Sequence, residues 1–258
     1  MALLTKTSEE EITMLQNVKE QLAALKLHGM ADALEMQIRT PMASEMDFAE
    51  RLLLLVQHEK TVRENHKLTT LLRQARLRYP GACIEELHTT PQRGIVKSMV
   101  MDLARNEWIK SHRNLIITGP TGAGKTWLAC AFGVAACRAG IGTSYVRLSR
   151  LLHDLGIGRA DGTYKKQLEK LSRTELLIID DWGMSPFTDI AKRDILEIME
   201  DRHNVRSTII STQYPVSEWH RLIDDLTLAD AICDRLVHNA YQITLKGESM
   251  RKLMANIS

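Results

Sequence analysis

The chain has 258 residues, of which 44% are hydrophobic and 26% charged, enough to bury the core of one ordinary domain and to add a smaller one. Its 34 basic and 32 acidic residues leave a net charge of +2, so only local patches can indicate a polyanionic partner. No secretory signal pattern, no apolar run of roughly 18 residues and no C-x-x-C pair is found, so we expect a cytoplasmic protein without membrane, disulfide or structural-metal function.

The amino-terminal part of the sequence predicts helices. Ser8 with an acid three residues later resembles a capping box, and apolar residues then recur at helical spacing until Gly29, which can end a helix. A short second helix is expected before Pro41, and a third over about residues 44–79. We therefore assign residues 1–85 to an all-α amino-terminal domain.

From about residue 114 the pattern changes to short β-rich runs that alternate with helical patterns. A helical pattern follows each of the first four runs, which indicates a parallel sheet covered by helices on both faces. The predicted fold class is α/β, in a domain covering residues 86–258. The predicted strands span residues 114–118, 143–148, 176–180, 208–212 and 241–245.

A glycine-rich loop joins the first predicted strand to the helical pattern that follows it. In this context the glycines let backbone amides surround phosphate groups, while the positive end of the helix favours the same anions. Lys125 is expected to reach the terminal phosphates, and the Thr126 hydroxyl to bind Mg²⁺. The loop therefore predicts an ATP-binding P-loop ATPase. The predicted nucleotide-binding residues are Gly119, Pro120, Thr121, Gly122, Ala123, Gly124, Lys125, Thr126 and Trp127.

Two acids follow the apolar run of the third predicted strand, in a Walker B pattern. Asp180 is expected to hold Mg²⁺, mostly through its water, and Asp181 to orient or deprotonate the attacking water. An acidic turn after a strand would look similar, but a phosphate loop requires a magnesium-binding acid downstream. Because the side chain of Asp181 is short, we expect slow hydrolysis.

Two later positions are candidates for contacts to the terminal phosphate. Gln213 or Thr212, at the end of the fourth strand, would lie between the water and that phosphate, although any strand needs a polar end. Arg235 precedes the last strand and could project towards the nucleotide of a neighbouring subunit as an arginine finger. A lone arginine is more often a surface or ion-pair residue.

With these motifs, the chain resembles the IstB-like branch of AAA+ ATPases, the helper proteins of certain bacterial insertion sequences, and more distantly the DnaC-type helicase loaders. The resemblance covers nearly the whole chain and is most specific at residues 234–238 and 247–251. It implies an AAA+ fold with a five-stranded parallel sheet and a small helical lid at about residues 246–258. It also implies that Arg251 is the sensor-2 arginine of that lid.

The sequence departs from the usual pattern of this family at three positions. Met250 stands where the family usually has an aromatic residue, which affects lid packing more than chemistry. Asp181 replaces the Glu that is common in AAA+ ATPases, and Gln213 replaces the common Asn. The last two changes concern the rate of hydrolysis rather than nucleotide binding.

The resemblance further implies ATP-dependent assembly into a homo-oligomer, binding to duplex DNA without strong sequence preference, and contact with a transposase. The amino-terminal domain would serve oligomerisation or contact the transposase or DNA. A basic segment before the Walker B strand offers a phosphate-contacting surface, although interspersed acids leave an ordinary solvated surface as the alternative. Its residues are Arg147, Arg150, Arg159, Lys165, Lys166, Lys170 and Arg173.

Three functions compete at this point. The leading hypothesis is an ATP-dependent transposition helper in which hydrolysis acts as a timer. The runner-up is a DnaC-like loader that holds single-stranded DNA and a replicative helicase. A small-molecule phosphoryl transferase fits worst, because Asp181, Arg235 and Arg251 indicate water activation and subunit-coupled hydrolysis rather than a second substrate pocket.

Overall fold

The computed structural model describes residues 2–40, 46–87 and 93–247, with side chains from residue 13 onwards. It divides into two compact units, Met1–Thr69 and Thr70–Ser258. The first unit contains the helices α1 (Ala2–Ala24) and α2 (His28–Arg39) and most of α3 (Phe48–Ala75). Helix α3 runs across the division between the units, which lies earlier in the chain than residue 85.

The helix boundaries predicted at Ser8 and Gly29 were wrong. Helix α1 begins at Ala2, so Ser8 lies inside it, and it ends when Lys26 adopts a left-handed backbone with φ of 59°. Gly29 instead belongs to α2, where a Cβ atom would come within 2.7 Å of the Glu59 Cα atom in α3. Its glycine therefore permits close helix packing rather than a helix end.

The second unit is built around a five-stranded sheet. Its strands are β1 (Asn114–Thr118), β2 (Thr143–Arg147), β3 (Leu176–Trp182), β4 (Ser207–Thr212) and β5 (Ala240–Thr244). Their order is β2-β3-β4-β1-β5, and every neighbouring pair is parallel. The α/β class and the five predicted strands are thus confirmed.

Helices connect the strands and cover the sheet. The strands β1, β3 and β4 are almost entirely buried, and β1 and β3 each contain a continuous apolar run. Residues 248–258, which include most of the expected lid, lie outside the described residues. The helices of this unit are α4 (Lys97–Leu103), α5 (Glu107–Lys110), α6 (Lys125–Arg138), α7 (Leu148–Asp161), α8 (Tyr164–Arg173), α9 (Asp189–Arg202), α10 (Trp219–Ile223) and α11 (Leu226–Val237).

The parallel topology gives the sheet two chemically different edges. The carboxyl ends of all five strands meet at one edge, here the carboxyl edge, and their amino ends meet at the amino edge. Ligands of open α/β sheets bind at the carboxyl edge. Within the described ranges, no helix combines the length and apolar character needed to cross a membrane.

Candidate nucleotide-binding site

The glycine-rich loop lies at the carboxyl edge, between β1 and α6. Gly119, Gly122 and Gly124 have φ values of 144°, 85° and 96°, which side chains rarely tolerate. At Gly119 a Cβ atom would also come within 2.5 Å of the Leu245 carbonyl oxygen. The glycines thus allow the loop to turn tightly into the first turn of α6, whose free amides attract anions.

The side chain of Lys125 folds back over the loop. Its Nζ atom donates hydrogen bonds to the carbonyl oxygens of Gly119, at 2.8 Å, and Pro120, at 2.9 Å. Burial lowers the pKa of Lys125, and the nearby Asp180 and Asp181 carboxylates oppose that shift. An incoming phosphate can replace the two neutral carbonyls with a charged partner, so this position suits Lys125 for phosphate binding.

The hydroxyl of Thr126 meets the carboxylate of Asp180 at the end of β3. Thr126 Oγ1 lies 2.9 Å from Asp180 Oδ2 and 3.1 Å from Oδ1, and the Tyr145 hydroxyl donates to Oδ2 at 2.8 Å. Asp180 is completely buried. Burial and the adjoining Asp180 charge raise the pKa of Tyr145, so its hydroxyl stays a donor.

These oxygen atoms fit a magnesium ion. Mg²⁺ in nucleotide sites takes one or two protein oxygen ligands and completes its shell with phosphates and water. The Thr126 hydroxyl and the Asp180 carboxylate supply that number. Among the described residues, no three His, Cys, Asp or Glu side chains group into an all-protein metal site.

Asp181 is held in an unusual backbone conformation. Its φ is 61°, and the pairing of β3 with β4 shifts register between Ile179 and Trp182, which marks a β-bulge. The strand continues to Trp182, a completely buried residue that packs against Trp219 with ring centroids 5.0 Å apart. The bulge places Asp181 on the wall of the cavity that Lys125 also lines. Such strain in a non-glycine residue is typical of functional sites.

Groups around Asp181 shift its pKa in opposite directions. Burial and the adjacent Asp180 raise its pKa, while Arg147, Arg78 and Lys125 lower it. The net shift is upward. A carboxylate with raised pKa is a better proton acceptor than an ordinary one, which suits the expected role in activating water.

The two candidate sensor residues have different environments. Thr212 donates its hydroxyl hydrogen to the Trp182 carbonyl at 2.8 Å and accepts from the Tyr214 amide, so its hydroxyl is engaged in the fold. Gln213 accepts a hydrogen bond from Thr121 of the phosphate loop at 2.9 Å and donates to the Met184 sulfur. Its amide therefore already contacts the loop.

A cavity of about 680 Å³ encloses these groups and is large enough for a nucleotide. Part of its wall was not predicted from the sequence, because it comes from the connection before β1, from Met184 after β3 and from Ser211 within β4. Arg93, for example, donates to the Ala123 carbonyl of the loop at 2.9 Å. The unpredicted lining residues are Arg78, Tyr79, Glu86, Leu87, Arg93, Met184 and Ser211.

Arg235 lies at the amino edge, away from the loop of its own chain. Its carbonyl oxygen accepts from the Asn114 side chain at the first residue of β1, whereas the loop follows the last residue, roughly 13 Å along the strand. The Arg235 guanidinium pairs with Glu200 and donates to the Ala231 carbonyl. Arg251, the expected sensor-2 residue, lies outside the described residues.

The basic residues expected to contact DNA lie on β2, α7 and α8, outside the lining of the nucleotide cavity. Arg159 pairs with Asp194, a buried residue of α9, and its guanidinium stacks 4.3 Å from the Tyr164 ring centroid. Arg150 and Arg173 form ion pairs with acids of their own helices, whereas no ion pair of the three lysines of α8 is found among the described residues. The exposed, paired arginines are Arg150 and Arg173, the exposed strand-end residue is Arg147, and the exposed lysines are Lys165, Lys166 and Lys170.

Comparison with known proteins places the chain in a family. A family model described as IstB-like ATP binding protein matches residues 20–256. An insertion sequence ATP-binding protein of Sinorhizobium fredii, y4pL, is 44% identical over 90% of this chain and 95% of its own length. The ATP-binding protein of insertion sequence IS1162 from Pseudomonas fluorescens is 42% identical over 79% of this chain and 88% of its own.

Solved structures show the same fold. The DnaC helicase loader superposes with a TM-score of 0.58 at 22% identity, over 66% of this chain and 99% of its own. AMPPCP-bound DnaA from Aquifex aeolicus gives a TM-score of 0.55 at 17% identity, over 69% of this chain and 54% of its own. The structural likeness establishes an AAA+ fold, and the match over most of the sequence shows that the chain belongs to the IstB-like ATP-binding proteins.

Proposed function

We propose that the protein is an ATP-dependent transposition helper that assembles on duplex DNA in its ATP state and recruits or stimulates a transposase. The observation that carries this proposal is the likeness to insertion sequence ATP-binding proteins over 90% of the chain. A nucleotide cavity with phosphate, magnesium and water-activating groups in one place supports it.

The carboxyl edge would bind and hydrolyse ATP. The loop amides and Lys125 bind the phosphates, and Thr126 and Asp180 would hold Mg²⁺, which neutralises phosphate charge when bound. Gln213 positions a water molecule for attack on the terminal phosphorus. Asp181 accepts a proton from that water while the bond to the bridging oxygen breaks, leaving ADP and inorganic phosphate. Because Asp181 is short, this reaction is expected to be slow.

The position of Arg235 favours ATP-dependent assembly. From the amino edge it does not reach the phosphates of its own chain, but a second subunit could present its carboxyl edge to it. The guanidinium would then exchange Glu200 for the terminal phosphate of the neighbour. Hydrolysis removes that phosphate and with it the contact, so the reaction limits the lifetime of the oligomer.

The exposed lysines of α8 support contact with DNA. The side chains of Lys165, Lys166 and Lys170 are exposed cations. Such cations contact DNA phosphates rather than base edges, so they favour binding with a low sequence preference. Each contact is weak on its own. A homo-oligomer repeats it along the duplex, so assembly in the ATP state would raise the total affinity.

Fluorescence anisotropy with a labelled duplex tests assembly on DNA. The wild-type protein should bind much more tightly with ATP than with ADP. Arg235→Ala should keep ATP binding and lose this difference, because the contact between subunits is gone. Arg221→Ala is the matched control, since Arg221 is an exposed arginine paired with Glu218 on the same chain. An Arg235→Ala protein that assembles on DNA normally refutes the assignment.

The nucleic acid and the protein partner distinguish the proposal from a helicase loader. A single-stranded competitor should displace the labelled duplex less effectively than unlabelled duplex does. Co-purification should retrieve the transposase of the same insertion sequence. Preference for single strands together with retrieval of a replicative helicase would overturn the proposal in favour of a loader.

A further inference from the structure

The segment after α3 packs on the helix that carries the phosphate-binding lysine. Leu77 is buried, and a Cβ atom at Gly133 of α6 would come within 2.9 Å of its Cδ2 atom. The sulfur of Cys130, also in α6, lies beside the backbone amides of Arg78 and Tyr79. The segment of residues 77–79 therefore packs on α6, and its Arg78 lies three residues beyond Ala75, where α3 ends.

Arg78 brings a cation from this segment to the nucleotide cavity. It lines the cavity together with Lys125, Thr126 and Asp181. Its guanidinium also faces the hydroxyl of Tyr145. Tyr145 in turn donates to Asp180 Oδ2 at 2.8 Å. Polar contacts thus lead from Arg78, in the segment after α3, through Tyr145 to the carboxylate expected to bind magnesium.

The hydroxyl of Tyr145 is suited to the middle of this path. A phenol has one hydrogen to donate, and here it is directed at Asp180, which leaves the oxygen lone pairs for a cation such as Arg78. Thr126 also donates to Asp180, but its oxygen would turn towards a bound ion. Tyr145 would then keep the carboxylate oriented after Thr126 has left it.

We infer that Tyr145 and Arg78 are positioning residues for the magnesium site and that they link its occupancy to the end of α3. This inference rests on the ATP and Mg²⁺ site of the proposed function. Groups that orient a metal ligand typically change metal affinity when they are removed. Because residues 77–79 pack on α6 beside this site, binding of Mg²⁺ and ATP is expected to shift the segment that follows α3.

Magnesium titration of nucleotide binding tests the positioning role. A fluorescent ATP analogue is bound to the protein, first in EDTA and then with increasing Mg²⁺. Tyr145→Phe and Arg78→Ala should raise the half-saturating Mg²⁺ concentration about tenfold. For Tyr145→Phe, the nucleotide affinity without Mg²⁺ should stay within about twofold of wild type, since Tyr145 is not among the residues that line the cavity. Arg78→Lys keeps the cation and should recover most of the Mg²⁺ response.

A second arginine–tyrosine pair supplies matched controls. Arg113 donates to the Tyr241 hydroxyl at 3.1 Å and lies 5.5 Å from its ring centroid, at the amino edge. Tyr241→Phe and Arg113→Ala make the same chemical changes there and should leave the Mg²⁺ response unchanged. A Tyr145→Phe protein with a wild-type half-saturating Mg²⁺ concentration overturns the inference. This variant loses one oxygen atom, so it decides the test even if Arg78→Ala does not fold.

Hydrogen exchange tests the link to α3. Addition of Mg²⁺ and ATP to the wild type should change amide exchange in residues 70–79, and Tyr145→Phe should reduce that change. Unchanged wild-type exchange at saturation would refute the link. Neither experiment uses DNA or a transposase. If the wild type showed no Mg²⁺-dependent nucleotide binding at all, the proposed function itself would fail, and the two failures are therefore distinguishable.

Discussion

The charged groups at the two edges of the sheet differ in their bonding partners. At the carboxyl edge, two adjacent acids stand beside Lys125, and Asp181 has a left-handed backbone. At the amino edge, the buried Arg202 donates to four protein oxygen atoms. These are the carbonyl oxygens of Leu171, Thr174 and Ser207 and the hydroxyl oxygen of Thr208. Thus the charged groups at the carboxyl edge remain available to a ligand. At the amino edge, the charge of Arg202 is bound by groups of the protein itself.

This contrast makes the two edges separable by experiment. Changes at the carboxyl edge should impair nucleotide chemistry with little loss of stability, because strain and like charge there already oppose folding. Changes at Arg202 should lower the free energy of unfolding with little effect on nucleotide affinity, because this residue lies outside the lining of the cavity.

The largest effect on stability is expected for Arg202→Met. Methionine fills much of the volume but leaves three carbonyls and one hydroxyl without their donor in a region where Arg202 is only 2% exposed. Loss of such a buried network costs about 3 kcal/mol of unfolding free energy. Urea unfolding measures it, and Arg193→Met, an exposed position on the same helix, is the control.

The same variant also checks the separation of the edges. ATP affinity of the folded Arg202→Met protein should lie within about twofold of wild type. A loss of stability below about 1 kcal/mol would show that water or a shifted backbone replaces the guanidinium. A large loss of ATP affinity would show instead that the two edges are coupled.

The next largest effect is expected for Lys125→Ala on nucleotide binding. Removing the cation expected to contact the terminal phosphates should weaken ATP binding about 100-fold, or ~2.7 kcal/mol. Stability should change by less than about 1 kcal/mol, since the lysine partners are two loop carbonyls that water can reach. Isothermal calorimetry with Lys170→Ala as control measures the affinity. Binding at wild-type strength would contradict the assigned role.

Asp181→Asn should raise the stability of the protein and lower its rate of ATP hydrolysis. Asparagine tolerates the left-handed backbone as aspartate does, so the bulge at φ 61° is retained. Removing the charge beside Asp180 should raise stability by at most about 1 kcal/mol, because solvent screens this partly exposed side chain. Hydrolysis should fall about 100-fold without a proton acceptor. Unfolding in EDTA and phosphate release measure the two effects, and a destabilised variant would contradict the electrostatic argument.

The stability gain should depend on pH in a defined direction. Burial and Asp180 raise the pKa of Asp181 in the folded state above its ordinary value of 3.8. Between pH 3.8 and the raised pKa, the folded state therefore binds more protons than the unfolded state. Wild-type stability therefore falls, through this group, as pH rises across that window. The difference between Asp181→Asn and wild type should vanish below the window and reach its plateau above it. A constant difference would indicate a cause other than ionisation.

Local sequence signals were sufficient for the sheet and for the positions of the motifs on it. The predicted first strand has the observed bounds, because an apolar run next to a glycine loop leaves few alternatives. The pairing of Thr126 with Asp180 was also expected from mechanism, since both groups serve one ion. A strand end that is followed by a glycine-rich loop can therefore be predicted from the local sequence.

Features that depend on contacts between distant parts of the sequence could not be predicted from the sequence. The predicted third strand stops at Asp180, whereas the observed strand continues through the Asp181 bulge because Trp182 is buried against Trp219, far along the sequence. The approach of Arg78 and Tyr145 to Asp180 likewise joins three separate segments. No local pattern marks such a meeting, and it follows only once the helices have packed.

The smallest effect is expected for the ion pair at the amino edge that the proposed function requires to break. Glu200 pairs with Arg235, and both side chains are partly exposed, so Glu200→Gln should change the unfolding free energy by less than about 0.5 kcal/mol. If Arg235 must leave Glu200 to reach a neighbouring phosphate, weakening the pair should favour assembly. The protein concentration for half-maximal ATP-dependent assembly should then fall about twofold.

Glu218→Gln supplies the control for this prediction, since Glu218 forms an exposed pair with Arg221 and should leave assembly unchanged. Analytical ultracentrifugation with a non-hydrolysable ATP analogue removes the effect of different hydrolysis rates. Weaker assembly of Glu200→Gln would mean that the ion pair holds Arg235 in its active position rather than competing for it. In that case the amino edge would already be arranged for the neighbouring subunit, and ATP binding alone would control assembly.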